Sequence, residues 1–214
     1  ITLFLKNLKE LLLTPPLVNQ VILGMDPGYV SGCKLAVIDE NGNYLASNVI
    51  YPTKPKEDFI TSAKIVLELI KKYKINSIAI GNGTASQETA AFISKLINEN
   101  NLDVKYAVVS EIGASVYSAS KIAMMEYPNL DVTIRGAISI AQRLRDPMAA
   151  LVKIDPKSLG IGQYQHDVNQ KELEQKLENV TVDLVNKVGV DINSASYKLL
   201  SFISGISEKL ALNI

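Results

Sequence analysis

Three closely spaced strand patterns, separated by tight turns, constrain the fold of this chain more than any other feature. Residues 21–25 are apolar and end at the turn Asp26-Pro27-Gly28. Two more strand patterns, at 33–39 and 44–51, flank Asn41-Gly42, a pair that can take the positive φ angles of a tight hairpin turn. We therefore predict that a sheet begins here with three consecutive antiparallel strands.

Strand and helix patterns then alternate along the chain. The apolar residues between 56 and 73 share one face of a helix, and Thr84 or Ser86 can cap the helix after the next strand. Pro147 marks a kink or break in the last helix of this stretch. Three antiparallel strands followed by βαβα give the order of an α/β, RNase H-like fold with a mixed sheet. The expected later elements are strands at 77–80 and 106–110 and helices at 56–73, 84–99, 114–126 and 133–153.

The chain is expected to contain three segments. Residues 3–13 have the apolar spacing of an amphipathic helix, which Pro15 and Pro16 stop. Strand patterns cease after residue 154, and helices are expected at 169–188, 193–203 and 207–214. The predicted organisation is an N-terminal helix (1–20), an RNase H-like domain (21–154) and a small all-helical segment (155–214). Because no Met begins the chain, we expect a piece of a longer protein, truncated at its C-terminus.

Composition excludes few classes of protein. The 22 basic and 22 acidic residues balance, so the chain has no global basic field, although a local basic face is compatible with this balance. The single cysteine, Cys33, precludes an internal disulfide and suits the reducing cytoplasm. No apolar run reaches 18 residues, so we expect no membrane span.

Three acidic residues lie at the ends of predicted elements. Asp26 ends the first strand, Glu111 follows the fifth, and Asp146 lies in the last helix of the predicted domain. An RNase H-like fold would bring them together beside the central strands. Three carboxylates could hold Mg²⁺ or Mn²⁺, and two such ions support phosphodiester cleavage. The alternative is structural, because Asp before Pro-Gly commonly forms a turn and Glu after a strand is usually solvated.

Two other polar features have structural alternatives that we favour. Gly81-Asn82-Gly83-Thr84 lies between a strand and a helix, where free N–H groups could bind an anion. A tight connection that needs small residues is the alternative that we favour. His166 is the only histidine and cannot build a zinc site with one distant cysteine, so we expect a capping or hydrogen-bonding role. Its neighbour Tyr164 could stack on a base.

Residues 191–214 contain a candidate nucleic-acid-binding turn. Asn193-Ser194-Ala195-Ser196 offers a helix N-cap, and the following turn contains Ser204, Gly205 and Ser207. The pattern resembles a helix-hairpin-helix motif, in which N–H groups at the start of the second helix point at a phosphate of DNA or RNA. Ser204, Gly205, Ser207 and Lys209 are therefore candidate nucleic-acid contacts, with Ser207 in place of the usual second glycine. A helical turn without a ligand is the alternative.

Longer strings resemble known families. RuvC-type resolvases and YqgF-family proteins open with a strand ending in Asp-Pro-Gly, as does ILGMDPGYVSGCKLAVID here. From residue 21 onward the chain resembles the Tex family of bacterial transcription accessory proteins, over IGNGTASQET, EIGASVYSAS, RGAISIAQRLRDP and VKIDPKSLGIGQYQHDVNQ. The resemblance implies that Asp26, Glu111 and Asp146 are the RNase H-like carboxylates. It also implies that the full-length protein has a separate RNA-binding domain further toward its C-terminus.

One departure from the resolvase pattern bears on catalysis. Resolvases of this fold commonly place a fourth carboxylate one helical turn from the last, but Arg143, Ala149 and Ala150 stand at that spacing here. A guanidinium would compete with a divalent ion or hold a phosphate, so Arg143 is a further candidate nucleic-acid contact.

We therefore expect a sequence-nonspecific, RNA- or DNA-binding scaffold of a Tex-type protein without robust catalysis. The alternatives are a divalent-metal-dependent nuclease, for which Mg²⁺ or Mn²⁺ would be the cofactor, and a docking platform for the transcription machinery, which the neutral net charge fits best. The expected partners are nucleic acid, the transcription machinery and the remaining domains of the longer protein, with no membrane.

Overall fold

The computed structural model describes all 214 residues and divides into two compact units. The first unit comprises Leu17–Arg145, and the second comprises Ile1–Pro16 together with Asp146–Ile214. The division falls nine residues before the sequence-based boundary at 154, and the N-terminal helix belongs to the second unit. The physical reason is the break at Asp146-Pro147, after which Met148, Leu151 and Val152 are buried.

The first unit is built on a five-stranded mixed sheet. Its order is β3-β2-β1-β4-β5, with β1–β2 and β2–β3 antiparallel and β1–β4 and β4–β5 parallel. The RNase H-like mixed sheet that the sequence predicts is thereby confirmed. The strands are β1 (Ile22–Asp26), β2 (Cys33–Ile38), β3 (Tyr44–Ile50), β4 (Ser77–Gly81) and β5 (Lys105–Val109). The helices are α1 (Thr2–Leu12), α2 (Phe59–Tyr73), α3 (Ser86–Glu99), α4 (Ala114–Ser118), α5 (Lys121–Glu126), α6 (Val132–Arg145), α7 (Pro147–Leu151), α8 (Gln170–Val188), α9 (Tyr197–Leu200) and α10 (Glu208–Ala211), with 3₁₀ helices at Pro156–Ser158 and Gln165–Asp167.

Apolar residues cover both faces of the sheet. On one face, Leu23 and Met25 of β1 pack with buried side chains of α2 and α3, such as Val66 and Ile93. On the other face, Ile22 belongs to a cluster with the apolar side of α6. Successive residues of β1 therefore point into two different cores, as expected for a central strand buried on both sides.

Helix α6 lies unusually close to the central strand. A Cβ built on Gly24 would lie 2.2 Å from the carbonyl oxygen of Ala137 and 2.8 Å from the Cβ of Ala141. Only glycine fits at this position of β1, because any side chain would meet the helix backbone. The close approach fixes where α6 crosses the sheet.

The second unit is helical. Phe4, Leu8 and Leu12 form the buried side of α1, which packs on α7 and α8. This packing accounts for the apolar face of the N-terminal helix. Helix α8 carries Leu173 and Leu177 on its buried side. None of the helices in either unit combines the length and the apolar character that a transmembrane helix requires.

Several predicted helices are shorter than their sequence patterns suggest. The pattern at 114–126 forms two helices, because the Ser120 side chain accepts the Ala123 N–H and starts α5. The pattern at 133–153 is interrupted by Asp146, which caps α7. Ser196 and Ser207 begin the four-residue helices α9 and α10 in the same way. In each case an N-cap side chain ends the preceding segment and begins a new helix.

The hairpin turn between β2 and β3 also differs from the expected Asn-Gly turn. The carboxylate of Asp39 accepts the N–H groups of Asn41 and Asn43 at 2.9 and 2.8 Å, and the Gly42 N–H donates to the Asp39 carbonyl at 2.9 Å. Only Gly42 takes a positive φ, of 88°, so Asn41 does not share this conformation.

Candidate functional site

Asp26 and Glu111 face the same pocket at one edge of the sheet. Asp26 is the last residue of β1, and Glu111 follows β5, so the parallel arrangement of β1, β4 and β5 brings their carboxyl ends together. The pocket has a volume of about 290 Å³. Its other lining residues are mostly small or hydroxyl-bearing: Ala114, Ser115, Ser118, Val132, Thr133 and Gly136.

The Glu111 carboxylate is held against the loop after β4. A Cβ on Gly83 would lie 1.8 Å from Glu111 Oε1, and one on Gly81 would lie 2.7 Å from Glu111 Oε2. The Asn82 side-chain oxygen accepts the Glu111 backbone N–H at 3.0 Å. These glycines make room for a carboxylate, which would repel a bound anion. The structural interpretation of Gly81-Asn82-Gly83-Thr84 therefore accounts for its small residues.

Asp26 has an electrostatic environment that disfavours its charged form. Burial and, next, the nearby Glu111 carboxylate raise the pKa of Asp26 to about 6, with Lys34 acting in the opposite direction. Lys34 is the strand partner of Asp26 on β2, and its ammonium group donates to the carbonyls of Ser31 and Gly32 at 2.6 and 3.0 Å. Asp26 Oδ2 also contacts α6, at 3.0 Å from a Cβ built on Gly136. The Asp26 carboxyl therefore keeps its proton to a higher pH than an ordinary aspartate does.

Asp146 is not among the residues that line the pocket of Asp26 and Glu111. The Asp146 carboxylate accepts the Ala149 N–H at 3.0 Å as the N-cap of α7. Gly136, which Asp26 contacts, lies in the N-terminal half of α6, whereas Asp146 follows its last residue, Arg145. At about 1.5 Å per residue, that end of α6 lies about 14 Å from Gly136.

Arg143 is a buried cation close to Glu111. It is 8% exposed, and one guanidinium nitrogen donates to the Ser110 carbonyl at 2.7 Å, while Nε and the other terminal nitrogen have no hydrogen-bond partner. Burial lowers the pKa of Arg143 to about 10, and Glu111 opposes this shift. A guanidinium this buried is not displayed to a nucleic-acid backbone in the conformation described here.

The residues of the pocket do not fit the metal centre of a two-ion nuclease. No group of three or more His, Cys, Asp or Glu side chains is arranged to hold a metal ion. Each of the two carboxylates instead has a cationic neighbour, Lys34 for Asp26 and Arg143 for Glu111. Divalent ions at such centres need several oxygen ligands, so no hydrolytic step through Mg²⁺ or Mn²⁺ follows from this geometry.

The second candidate site is the turn between α9 and α10. We call Ser204, Gly205, Ser207 and Lys209 the hairpin surface, because all four are exposed. Gly205 has a φ of 88°, and a Cβ built there would meet nothing within 4 Å. Glycine is therefore needed for the backbone conformation rather than for space. The Ser207 side chain accepts the Leu210 N–H at 3.2 Å, which gives this residue a capping role.

Asn186, near the end of α8, holds this turn and was missed by the sequence reasoning. Its side-chain NH₂ donates to the Phe202 carbonyl at 2.8 Å, and its oxygen accepts the Ser204 N–H at 2.9 Å. One amide thus satisfies a donor and an acceptor on either side of Ile203. An exposed asparagine in the last turn of a helix was the only signal in the sequence, and it does not specify a partner.

Fold and sites together define a class of protein: an RNase H-like α/β unit with paired carboxylates at the sheet edge, joined to a helical unit with a hairpin turn. Residues 20–145 match the family model described as the Tex protein YqgF-like domain, and residues 185–214 match the helix-hairpin-helix motif. The first match covers more than half of the chain. The chain belongs to the Tex YqgF-like family.

Relatives match over the whole chain. It is 51% identical over 215 residues to the protein tex of Bordetella pertussis and 51% identical over 217 residues to the transcriptional accessory protein Tex of Neisseria gonorrhoeae. All of this chain is covered in both cases, and it spans 27% and 28% of the length of these relatives. A RuvC structure from Thermus thermophilus aligns with a TM-score of 0.43 and 16% identity, over 62% of this chain and 95% of that one.

Proposed function

We propose that this chain is a sequence-nonspecific nucleic-acid-binding region of a Tex-type transcription accessory protein and works without robust catalysis. The observation that carries the proposal is the hairpin surface of the second unit. There the backbone N–H groups of Gly205 and Ser207 donate to no acceptor within the protein, and Lys209 lies beside them in the first turn of α10. Unpaired N–H groups next to a cation suit a phosphate, which positions a nucleic acid without reading its sequence.

The paired carboxylates support a scaffold rather than a nuclease. Asp26 and Glu111 repel each other, and each already has a cationic neighbour in the protein. A phosphodiester approaching this pocket would add further negative charge. We therefore place the nucleic acid on the hairpin surface and assign the pocket no catalytic role.

Binding to two duplexes of unrelated sequence tests this proposal. The chain should bind fluorescein-labelled DNA of both sequences with the same affinity at low ionic strength, and a matching RNA duplex shows which nucleic acid is preferred. The affinity should fall linearly with salt on a double-logarithmic plot, because each neutralised phosphate releases counterions. Absence of salt-dependent binding at low ionic strength would contradict the proposal.

A metal-dependent nuclease is the second candidate, and the observation in its favour is that Asp26 and Glu111 line one pocket. Incubation of branched and hybrid substrates with Mn²⁺ tests it. Cleavage that disappears in Asp26→Asn would establish the nuclease, whereas intact substrates in both proteins agree with the scaffold.

The names of the relatives support a proposal about the partners of this chain. The two relatives are named tex and transcriptional accessory protein Tex, so we propose that this chain works beside the transcription machinery in the cytoplasm, as part of a longer protein. Pull-down of transcription proteins that survives nuclease treatment would favour direct protein docking over tethering through nucleic acid.

A further inference from the structure

Tyr164 adopts a backbone conformation that its side chain disfavours. It is the N-cap residue of the 3₁₀ helix Gln165–Asp167, and its φ of 58° and ψ of 23° lie in the left-handed region. A non-glycine residue there carries a strain of order 1 kcal/mol. Glycine would take the same conformation without this cost, and the chain uses glycine at positive φ at nearby Gly160 and Gly162.

Burial of the ring does not offset this strain. Tyr164 is 76% exposed, so most of its aromatic surface faces solvent. It takes part in no aromatic pair or cation–π contact. The side chain is therefore displayed rather than packed.

The loop beneath Tyr164 is firmly anchored. Ile161 is fully buried, and its carbonyl accepts the Asn7 side-chain NH₂ at 2.6 Å. The Gln165 side chain donates to the Lys157 carbonyl at 2.8 Å, and the Tyr164 carbonyl accepts the Asp167 N–H at 3.0 Å. The ring is thus held out from a fixed backbone, which lowers the entropy lost when a ligand contacts it.

The surroundings of the ring indicate what kind of ligand it suits. Its exposed sequence neighbours Gln163, His166 and Asp167 are all polar, so these residues offer no apolar contact to a docked protein. The π-face of a nucleobase stacks on an isolated tyrosine, and polar neighbours can bond the edges of the base. The Asp167 carboxylate disfavours a phosphate at the same place.

We infer that Tyr164 is a stacking platform for an unpaired base of single-stranded nucleic acid. This inference rests on the proposed nucleic-acid-binding function and adds single strands to its ligands. The hairpin surface would contact the backbone of the nucleic acid, and Tyr164 would contact a base.

Two DNA oligonucleotides that differ only in their bases test the inference. A labelled oligo-dA and an abasic strand of equal length carry the same phosphates, and an oligo-rA of that length compares RNA with DNA. The wild-type chain should bind oligo-dA about 5- to 100-fold more tightly than the abasic strand. Tyr164→Ala should lower oligo-dA affinity to the abasic level, whereas Tyr164→Phe should keep it.

Two further variants separate stacking from folding. Tyr164→Gly removes both the strain and the ring, so it should unfold at the same temperature as the wild type or a higher one, yet lose the preference for bases. Because the chain contains no tryptophan, Tyr164→Trp places a single reporter at this site. Its fluorescence should be quenched by oligo-dA and unaffected by the abasic strand.

The results that would contradict the inference differ from the result that would also contradict the proposed function. Equal binding of both strands by the wild type, or undiminished oligo-dA affinity in Tyr164→Ala, would overturn the inference and leave the proposed function standing. Wild-type protein that binds neither strand nor duplex would overturn the proposed function and this inference together.

Discussion

At the scale of single residues, the charged groups around Asp26 and Glu111 determine whether these carboxylates suit a metal ion or a proton. Asp26 and Glu111 occupy places from which an RNase H-like fold can offer metal ligands, yet each has a cation nearby and no third carboxylate joins them. Asp26 is therefore better suited to holding a proton than a metal ion. Its pKa makes this difference measurable.

Asp26 should make the stability of the protein depend on pH. Because burial and Glu111 raise its pKa from 3.8 to about 6, the folded state favours the protonated carboxyl. The resulting stabilisation is complete below the pKa of the unfolded chain and is lost as the pH rises through about 6. Relative to the wild type, we expect Asp26→Asn to gain about 1–2 kcal/mol of unfolding free energy above this pKa, after allowing for solvent screening.

Urea denaturation at mildly acidic and mildly alkaline pH measures this effect, with exposed Asp103→Asn as the control. A variant that is less stable than the wild type at alkaline pH would contradict the account, because that result is expected if ionised Asp26 binds a cation.

Asn186 should position the hairpin surface. Asn186→Leu leaves the Phe202 carbonyl and the Ser204 N–H without their protein partner, at a cost of about 1 kcal/mol, since water can replace an exposed bond. We expect faster hydrogen exchange at the Ser204 amide and weaker binding to duplex DNA. Asn98→Leu, at an exposed position of α3, is the matched control. Unchanged exchange at Ser204 would show that the amide does not hold the turn.

At the scale of secondary-structure elements, the contact between α6 and β1 positions the pocket. Helix α6 rests directly on Gly24, and its N-terminal half carries Gly136 to the Asp26 carboxylate. The two glycines meet different neighbours: backbone atoms of α6 at Gly24 and the end of a side chain at Gly136. Substitutions at these positions should therefore differ in their effect on stability.

Gly24→Ala should destabilise the first unit by about 3 kcal/mol, because its Cβ would overlap the Ala137 carbonyl and displace α6. Gly136→Ala needs only a small shift of Asp26 and gains helix propensity, so its effect should lie between zero and a stabilisation of about 1 kcal/mol. Thermal unfolding of both variants provides the comparison. Equal losses of stability would mean that α6 does not rest on β1 as described.

The long elements were predictable from sequence and the short ones were not. The strand predicted at 21–25 is observed at Ile22–Asp26, because a buried apolar run bounded by a turn permits few alternatives. Ser120, Ser196 and Ser207 each begin a short helix inside or beside a longer helical pattern. The hydrogen bonds of these N-cap side chains start new helices at positions where the apolar spacing alone predicts one longer helix.

The candidate sites were predictable only in part. The shared edge of Asp26 and Glu111 follows from parallel strands, which the order of elements implies. Whether Asp146 lines this pocket depends on how α6 packs on the sheet, which no local pattern determines, and the residue caps α7 instead. Asn186 forms hydrogen bonds with residues 16 and 18 positions further along the chain, and no pattern in the sequence predicts such pairs.

At the scale of the whole molecule, the net charge is balanced, so nucleic-acid binding depends on where individual cations lie. With 22 basic and 22 acidic residues, the chain has no net field to attract nucleic acid. Salt-dependent binding must then come from a few placed cations and N–H groups. Lys209 on the hairpin surface and the exposed Lys71 on α2 contribute equally to the net charge, but only Lys209 lies at the proposed contact.

The salt dependence of duplex DNA binding by Lys209→Gln and Lys71→Gln tests the central claim most directly. We predict that Lys209→Gln lowers the slope of log affinity against log salt by about 0.9, the value for one lost phosphate contact, and that Lys71→Gln leaves it at the wild-type value. Equal slopes in the wild type and both variants would contradict the claim that the hairpin surface binds nucleic acid.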